Sequence, residues 1–148
     1  MKLLKSIKGV TLLEIMLVLA IAAMVIVMSI RYYQSATLSQ QVNQTMSQIQ
    51  SIAAAADNLA VGSNSYTTSA TAPDVTSVVG ASNMTSVVTG EAIVYTPVDA
   101  KSYRVTINLN DAVCLSVKAK LGANKKVTSA SCSPANLTYV YDNSVTSS

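Results

Sequence analysis

The stretch Gly9-Val10-Thr11-Leu12-Leu13-Glu14 separates a short basic leader from a long apolar run. The lysines Lys2, Lys5 and Lys8 precede it, and apolar residues follow almost without interruption as far as Ile30. As a helix, about 20 such residues span roughly 30 Å, which is the thickness of the hydrocarbon core of a bilayer. Because basic residues are retained on the cytoplasmic side, this pattern predicts one membrane-spanning helix with its N-terminus in the cytoplasm.

Glu14 is the one charged residue inside the apolar run, so its position needs a physical reason. A carboxylate within an apolar span costs about 2.5–3.5 kcal/mol on insertion scales, and such residues usually have a partner. Lys8 belongs to a different helical face, and no basic residue lies one turn away. We therefore expect the partner to come from another chain or from a charge that processing creates. Thr11 and Ser29 can each bond back to a helix carbonyl, so neither opposes insertion.

Lys8-Gly9, Val10 and Glu14 together resemble the N-terminus of a type IV prepilin. In that family a short basic leader ends in Gly, and the mature chain carries Glu at its fifth position. The resemblance implies that a prepilin peptidase cuts between Gly9 and Val10 and methylates the new amine of Val10. It also implies that Glu14 pairs with the N-terminal amine of a neighbouring subunit in a filament. Many family members have Phe where this chain has Val10, which leaves the branch of the family open.

Three other interpretations of the same stretch compete with this one. A cleaved signal peptide requires a small residue three positions before the cut, where this chain has Gln34, and its apolar core is shorter. A plain signal-anchor leaves Glu14 without an explanation. A buried helix of a soluble protein conflicts with the length and purity of the run.

Composition excludes several classes of function. The chain has 148 residues, which suits one domain and an anchor, and it contains no His, the commonest general base and metal ligand. The net charge of +3 comes from the three leader lysines, so the remainder is nearly neutral and its charge gives no support for a nucleic-acid partner. No catalytic constellation, phosphate-binding loop or metal site is recognisable, so we predict no enzymatic activity, no metal and no cofactor. A lysine-rich segment near the C-terminus indicates a solvated sheet edge or a contact site (Lys118, Lys120, Lys125, Lys126).

Cys114 and Cys132 are the only cysteines. An even pair in an exported domain predicts a disulfide, which would contribute roughly 3 kcal/mol by closing the intervening loop. Two cysteines are too few for a structural zinc site, and a redox pair is normally closer in sequence. By resemblance to pilins, this pair would close an exposed region near the C-terminus of the subunit.

The helix is predicted to continue through residues 31–61, because neither Pro nor Gly occurs between Val10 and Val61. Tyr32 and Tyr33 end the apolar run, where aromatic residues anchor helices at a membrane interface or stack between subunits. Gly62 is the predicted stop. Polar residues from Gln40 to Gln50, with Gln48 among them, are placed on the other face of the helix, against polar surroundings. An apolar stripe faces the domain: Leu38, Val42, Met46, Ile49, Ile52, Ala53, Ala56 and Leu59.

Residues 62–91 are expected to form an irregular connector with one short helix that starts at Pro73-Asp74. Residues 92–148 are expected to form an antiparallel meander of four or five strands, separated by turns that include Asn110-Asp111. The predicted strands are Ala92–Thr96, Tyr103–Leu109, Val113–Lys118, Val127–Ser131 and Leu137–Tyr141. The fold class is therefore α+β, a long N-terminal helix packed on a small antiparallel sheet, as in type IV pilins.

The resemblance implies a structural subunit of a type IV pilus, made in the inner membrane and polymerised into a helical extracellular fibre. The absent helix proline, Val10 and the Tyr32-Tyr33 pair favour the type IVb branch, although the short leader does not. Partners implied are other copies of the chain, the prepilin peptidase, the inner-membrane platform and its ATPase, minor pilins and membrane lipid. Two alternatives remain: a pseudopilin of a type II secretion system, and a membrane-anchored binding module that does not polymerise.

Overall fold

A computed structural model describes residues 11–66 and 75–144, without the side chain of Ser63. The chain divides into two compact units, Met1–Thr37, the apolar unit, and Leu38–Ser148, the globular unit. The leader, the cleavage residues Gly9 and Val10, and the predicted helix start at Pro73-Asp74 lie outside the described residues.

The first helix, α1, runs without a break over Leu12–Ser63. It contains no proline, and its end at Ser63 falls within one residue of the predicted stop at Gly62. Its residues up to Thr37 constitute the described helical part of the apolar unit, and its residues from Leu38 belong to the globular unit.

The globular unit contains a four-stranded antiparallel sheet, as the fold class requires. Its strands are β1 (Val94–Asp99), β2 (Ser102–Asn108), β3 (Val127–Ser133) and β4 (Asn136–Asp142). The order across the sheet is β1-β2-β4-β3. The predicted meander is therefore wrong in one respect: two hairpins lie side by side, and β2 pairs with β4 instead of with β3.

The predicted third strand, Val113–Lys118, is a helix, α3 (Asp111–Leu121). Asn110-Asp111 is its start and not a hairpin turn, because the Asn110 side chain caps it by accepting a hydrogen bond from the Val113 backbone N–H at 2.9 Å. The buried positions of α3 follow the helical spacing: Val113, Cys114, Val117 and Leu121. This helix carries the chain from the end of β2 to the far edge of the sheet, which is why β3 does not pair with β2.

The core lies between the sheet and the second half of α1. All four inward residues of the β2 region, Tyr103, Val105, Ile107 and Leu109, are fully buried, which confirms the alternation predicted from the sequence. They pack with residues of the predicted α1 stripe, of which Val42, Ile49, Ile52 and Ala56 are buried and Leu38, Met46 and Leu59 are partly buried.

The segment between α1 and the sheet is more regular than expected. It contains α2 (Val75–Val79), a short 3-10 helix (Ala81–Met84) and a bridge between Thr85 and Ala92. Gln48 of α1, predicted on the polar face, is buried, and its side-chain amide donates to the Thr85 carbonyl at 2.8 Å. This hydrogen bond attaches the segment to α1 and gives a polar residue a place in the packed interface.

Candidate functional site

The predicted site residues fall into two separate regions. Glu14 lies in the first turn of α1, in the apolar unit. Cys114 and Cys132 lie in the globular unit, where they form a disulfide. The cleavage residues Gly9 and Val10 lie outside the described residues, so their role remains a prediction.

The first turn of α1 is capped from within the chain. Thr11 precedes the helix, and the backbone N–H of Glu14 bonds to both its carbonyl, at 3.0 Å, and its hydroxyl, at 3.3 Å. Thr11 therefore acts as the N-cap of α1. The signal was present in the sequence, since Thr11-Leu12-Leu13-Glu14 matches the capping pattern of Ser or Thr followed three residues later by Glu.

The position of Glu14 in the first turn stabilises its carboxylate but does not supply that carboxylate with a partner. A carboxylate in the first turn interacts favourably with the positive end of the helix dipole. The hydrogen bond to Thr11 uses the backbone of Glu14, so the carboxylate is left to interact outside its own helix. Val10 directly precedes the cap in sequence, so a cut after Gly9 would place the new amine at the helix N-terminus.

The apolar unit exposes nearly its whole apolar surface. α1 is long and apolar enough to cross a membrane, and its most apolar segment buries none of its residues within the chain. Large side chains are exposed all around the helix, including Leu13, Leu17, Ile21, Val25 and Ile30. At about 25 cal/mol per Å² of apolar area, such a surface is strongly unfavourable in water. A helix of this kind could span a membrane.

The polar side chains of this segment are satisfied by the helix itself. The hydroxyl of Ser29 donates to the Val25 carbonyl at 2.8 Å, and that of Thr37 donates to the carbonyls of Tyr33 and Gln34. A back-bonded hydroxyl adds little cost in a membrane or in a helix bundle. Glu14 is thus the side chain within the run whose burial would still need an external partner.

Arg31, Tyr32 and Tyr33 follow the apolar run. The two tyrosine side chains are 80% and 70% exposed, so neither packs against its own chain. Their position at the end of the run suits a membrane interface, where an aromatic ring meets lipid and its hydroxyl meets water. A shallow groove lined by Ala23, Met24, Val27 and Met28 precedes Arg31, and small residues such as Ala23 allow close approach of another helix.

The disulfide joins α3 to the edge strand β3. The Cα atoms of Cys114 and Cys132 are 6.1 Å apart, and Cys114 is buried against the core. The predicted pairing is therefore present. By closing the loop between the two cysteines, the disulfide contributes about 3 kcal/mol to the stability of the fold in the chain-entropy model. It also fixes α3 onto the sheet.

A tyrosine cluster occupies the core between α1 and the sheet. The Tyr103 ring lies 5.1 Å from the Tyr66 ring, 5.2 Å from the Tyr95 ring and 5.0 Å from the Tyr141 ring, measured between centroids. The Tyr66 hydroxyl donates to the Asp57 carboxylate in a short hydrogen bond. Within the described residues, the buried hydroxyls of Tyr95, Tyr103 and Tyr139 have no such partner.

Burial raises the pKa values of these tyrosines. It raises the pKa of Tyr95 to about 12 and those of Tyr103 and Tyr139 further. For Tyr66 burial is again the first cause of a raised pKa, followed by its hydrogen bond to Asp57. The rings therefore stay neutral at physiological pH and act as packing residues of the globular unit.

Neither a metal centre nor a recognised relative emerges. Within residues 11–66 and 75–144, no three His, Cys, Asp or Glu residues converge to hold a metal ion. No protein-family model, no curated protein and no solved structure matches this chain. The architecture itself, a long apolar N-terminal helix whose second half packs on a four-stranded antiparallel sheet, is compatible with a pilin-like fold.

Proposed function

We propose that this protein is a structural subunit of a type IV pilus and polymerises through the apolar half of α1. One observation carries the proposal: a fully exposed apolar helix with a single carboxylate, Glu14, in its first turn. A disulfide-bonded domain that folds around the second half of the same helix is the part that would face outward.

The apolar half suits a subunit that moves from a bilayer into a fibre. In lipid its exposed side chains are solvated by hydrocarbon, and in a bundle they are packed against other helices, so little hydrophobic free energy is lost on transfer. The Glu14 carboxylate costs about 2.5–3.5 kcal/mol in lipid, and an amine supplied by a neighbouring copy would relieve that cost. Glu14 thus makes the membrane-inserted state of the single subunit less favourable and favours assembly with a neighbouring copy.

The precursor would insert in the inner membrane with its leader in the cytoplasm, and a prepilin peptidase would cut between Gly9 and Val10 and methylate Val10. An ATPase-driven platform would lift the subunit into the fibre, with minor pilins in support. Head-to-tail contacts that do not close by rotation generate an open helical filament. The absent helix proline, Val10 and the Tyr32-Tyr33 pair favour the type IVb branch, whereas the short leader argues against it. No catalytic role, cofactor or metal is part of this proposal.

The first experiment replaces Glu14 by Ala in the native host. We expect fibres in the sheared surface fraction to be lost or strongly reduced, because the inter-subunit ion pair is lost, while peptidase cleavage continues. Ser29→Ala is the matched control, since it removes a polar group of the same apolar segment whose hydrogen bond is internal. Normal fibres from Glu14→Ala would contradict the proposed pairing.

Mass measurement of the sheared fraction separates the alternatives. A chain that begins at N-methylated Val10 and carries one disulfide would identify a processed fibre subunit. A processed chain that stays in the cell envelope, and whose loss blocks protein secretion, would instead identify a pseudopilin. A membrane-bound chain that retains Met1 would indicate an anchored binding module and would end the filament proposal.

A further inference from the structure

The globular unit carries a basic end. Strand register places the β1–β2 turn, the start of β3 and the end of β4 together, because Asp99 pairs with Ser102 and Val127 pairs with Tyr141. The last turn of α3 leads into the same region. We define the basic end by the five lysines found there: Lys101, Lys118, Lys120, Lys125 and Lys126.

The acidic residues near the basic end are engaged locally. Asp142 accepts hydrogen bonds from the hydroxyl and the backbone N–H of Ser144, which lower the pKa of its carboxyl together with the smaller effect of the Lys101 charge. Asp99 accepts a hydrogen bond from the Ser102 hydroxyl at 3.3 Å, and Asp57 accepts the one from Tyr66. These donors are neutral and leave the three carboxylates charged, so five lysines against three acidic residues still give the basic end an excess of positive charge.

Lys118 shows how accessible this charge is. Its side chain is exposed in the last turn of α3, and it makes no hydrogen bond or ion pair within the described ranges 11–66 and 75–144. Lys120 donates to the Asn43 side chain at 3.1 Å, and Lys126 donates to that of Asn143 at 2.7 Å. These amides are neutral, so both bonds orient the ammonium groups without cancelling their charge.

An acidic end lies at the opposite end of the strands. Glu91 is exposed and accepts a hydrogen bond at 3.2 Å from Asn108, the last residue of β2, and Asp111 is exposed in the first turn of α3. No lysine or arginine occurs among the described residues that surround this end, which are residues 85–92, 108–113 and 133–136. We define the acidic end by Glu91 and Asp111.

The two ends are too far apart to neutralise each other inside one subunit. A seven-residue strand such as β2 spans about 23 Å, and Lys118 lies seven residues from Asp111 on α3, which is about 10 Å along the helix axis. Both distances exceed the screening length in physiological salt, which is about 8 Å. Complementary charges on opposite ends of one domain suit contact with a second copy, because each copy then offers both halves of the interface. A polyanion or an anionic lipid surface would match the basic end alone and would leave the acidic end without a role.

We infer that the basic end of one globular unit docks against the acidic end of the next copy in the fibre. This inference rests on the proposed function and adds a second contact to the one at Glu14. Such a contact is heterologous, so it repeats along an open assembly without closing. Complementary charge of this kind sets the register of neighbours and speeds their association, and like charges in the wrong pairing oppose it.

A charge-swap experiment in the native host tests the contact. The double change Lys118→Glu with Lys125→Glu is expected to lower the yield of sheared fibres about tenfold, and the double change Glu91→Lys with Asp111→Lys is expected to lower it comparably. A chain that carries all four changes reverses the charge of both ends, so its fibre yield should return to within about twofold of the unchanged chain. Arg104→Glu, on an exposed position in the middle of β2, is the matched charge reversal and should leave the yield unchanged.

Each outcome decides the inference. Equal amounts of disulfide-bonded subunit in the membrane fraction will show that every variant folds. Normal fibres from either set of reversals, or failure of the combined chain to recover, would overturn the inference and leave the proposed pilus function standing. If the unchanged chain itself forms no fibres, both proposals fall together.

A vesicle experiment addresses the other use of the basic end. Purified full-length chains in proteoliposomes are mixed with separate vesicles containing phosphatidylglycerol, and their co-flotation is measured. We expect no binding that depends on Lys118 and Lys125. Binding that the double lysine change abolishes, and that Glu91→Lys does not restore, would assign the basic end to an anionic lipid and overturn the contact between copies.

Discussion

The two halves of α1 belong to one continuous helix, yet they meet opposite environments. Ile21, in the apolar unit, is 57% exposed, whereas Ile52, in the globular unit, is fully buried. The second half is covered by the sheet of its own chain. The comparison teaches that the first half must obtain its cover from outside the chain, from lipid or from other helices, and this requirement is the physical basis of the proposed polymerisation.

The pattern of residues explains the difference. In the second half, apolar residues recur at three- and four-residue steps, which makes one stripe that a single sheet can cover. In the first half they occupy the whole circumference, and a helix that is apolar all round is covered on every side. Only an environment that surrounds the helix satisfies that pattern.

The most direct test of this difference makes the same substitution, Ile to Ala, once in each half of α1. Ile52→Ala should lower the free energy of unfolding of the globular unit by about 2–5 kcal/mol, because it leaves a cavity in the core. Ile21→Ala, in the exposed half, should leave that free energy unchanged. The measurement is denaturant unfolding of the full chain in detergent, followed by the near-ultraviolet circular dichroism of the packed tyrosines.

Equal losses from the two substitutions would contradict the division into two units. Ile21→Ala should be judged separately by fibre yield, since its side chain is expected to pack only after assembly. A loss of fibres with no loss of unfolding free energy is the result that the comparison predicts.

The main elements of the fold could be predicted from sequence patterns that extend over many residues. The unbroken helix, its end near Gly62, the inward residues of β2 and the disulfide pairing follow from periodicity, punctuation and the cysteine count. These signals are strong because each involves many residues, or a residue type with a restricted conformation. The chemistry at Gly9 and Val10 rests on the resemblance, since both lie outside the described residues.

The errors occurred where a short segment satisfied two patterns. Val113 to Lys118 alternates like a strand, but Asn110 caps a helix there and buried Leu121 extends the helical spacing. The six-residue alternation was too short to distinguish the two periods. Assigning that segment as a strand also produced the wrong strand order and placed Lys118 on a sheet edge, although it lies in the last turn of α3. The burial of Gln48 was not predicted, because its partner carbonyls lie about 35 residues away along the chain.

A second pair of substitutions compares a buried tyrosine of the globular unit with an exposed tyrosine of the apolar unit. Tyr66→Phe should destabilise the globular unit by about 1.5–3 kcal/mol, because the buried hydroxyl of Tyr66 donates to the charged Asp57. Tyr33→Phe, at an exposed hydroxyl of the apolar unit, should leave the unfolding free energy unchanged. Tyr103→Phe is the internal control and should be nearly neutral at pH 7, because its buried hydroxyl has no partner among the described residues.

The same tyrosines predict an alkaline transition. Below pH 10 they are protonated in both states, and above pH 10 they ionise first in the unfolded chain, because burial raises their pKa in the folded one. The free energy of unfolding should therefore fall as pH rises above about 10, by about 1.4 kcal/mol per pH unit for each such tyrosine. Tyr103→Phe should reduce that slope by one tyrosine, and an unchanged slope would contradict its burial.

The smallest contrast concerns the two helix starts. Asn110 caps α3 through a 2.9 Å hydrogen bond to the Val113 N–H, and Thr11 caps α1 through a 3.3 Å bond to the Glu14 N–H. Asn110→Ala should cost the globular unit about 1 kcal/mol, whereas Thr11→Ala should cost it nothing, because α1 begins in the other unit. The same unfolding measurement checks both. A neutral Asn110→Ala would contradict the capped helix that replaces the predicted strand. If Thr11→Ala reduces fibre yield but leaves the unfolding free energy unchanged, the first turn of α1 functions in assembly and not in the stability of the domain. The first half of α1 would then be the part required for assembly, and the second half the part required for the stability of the globular unit.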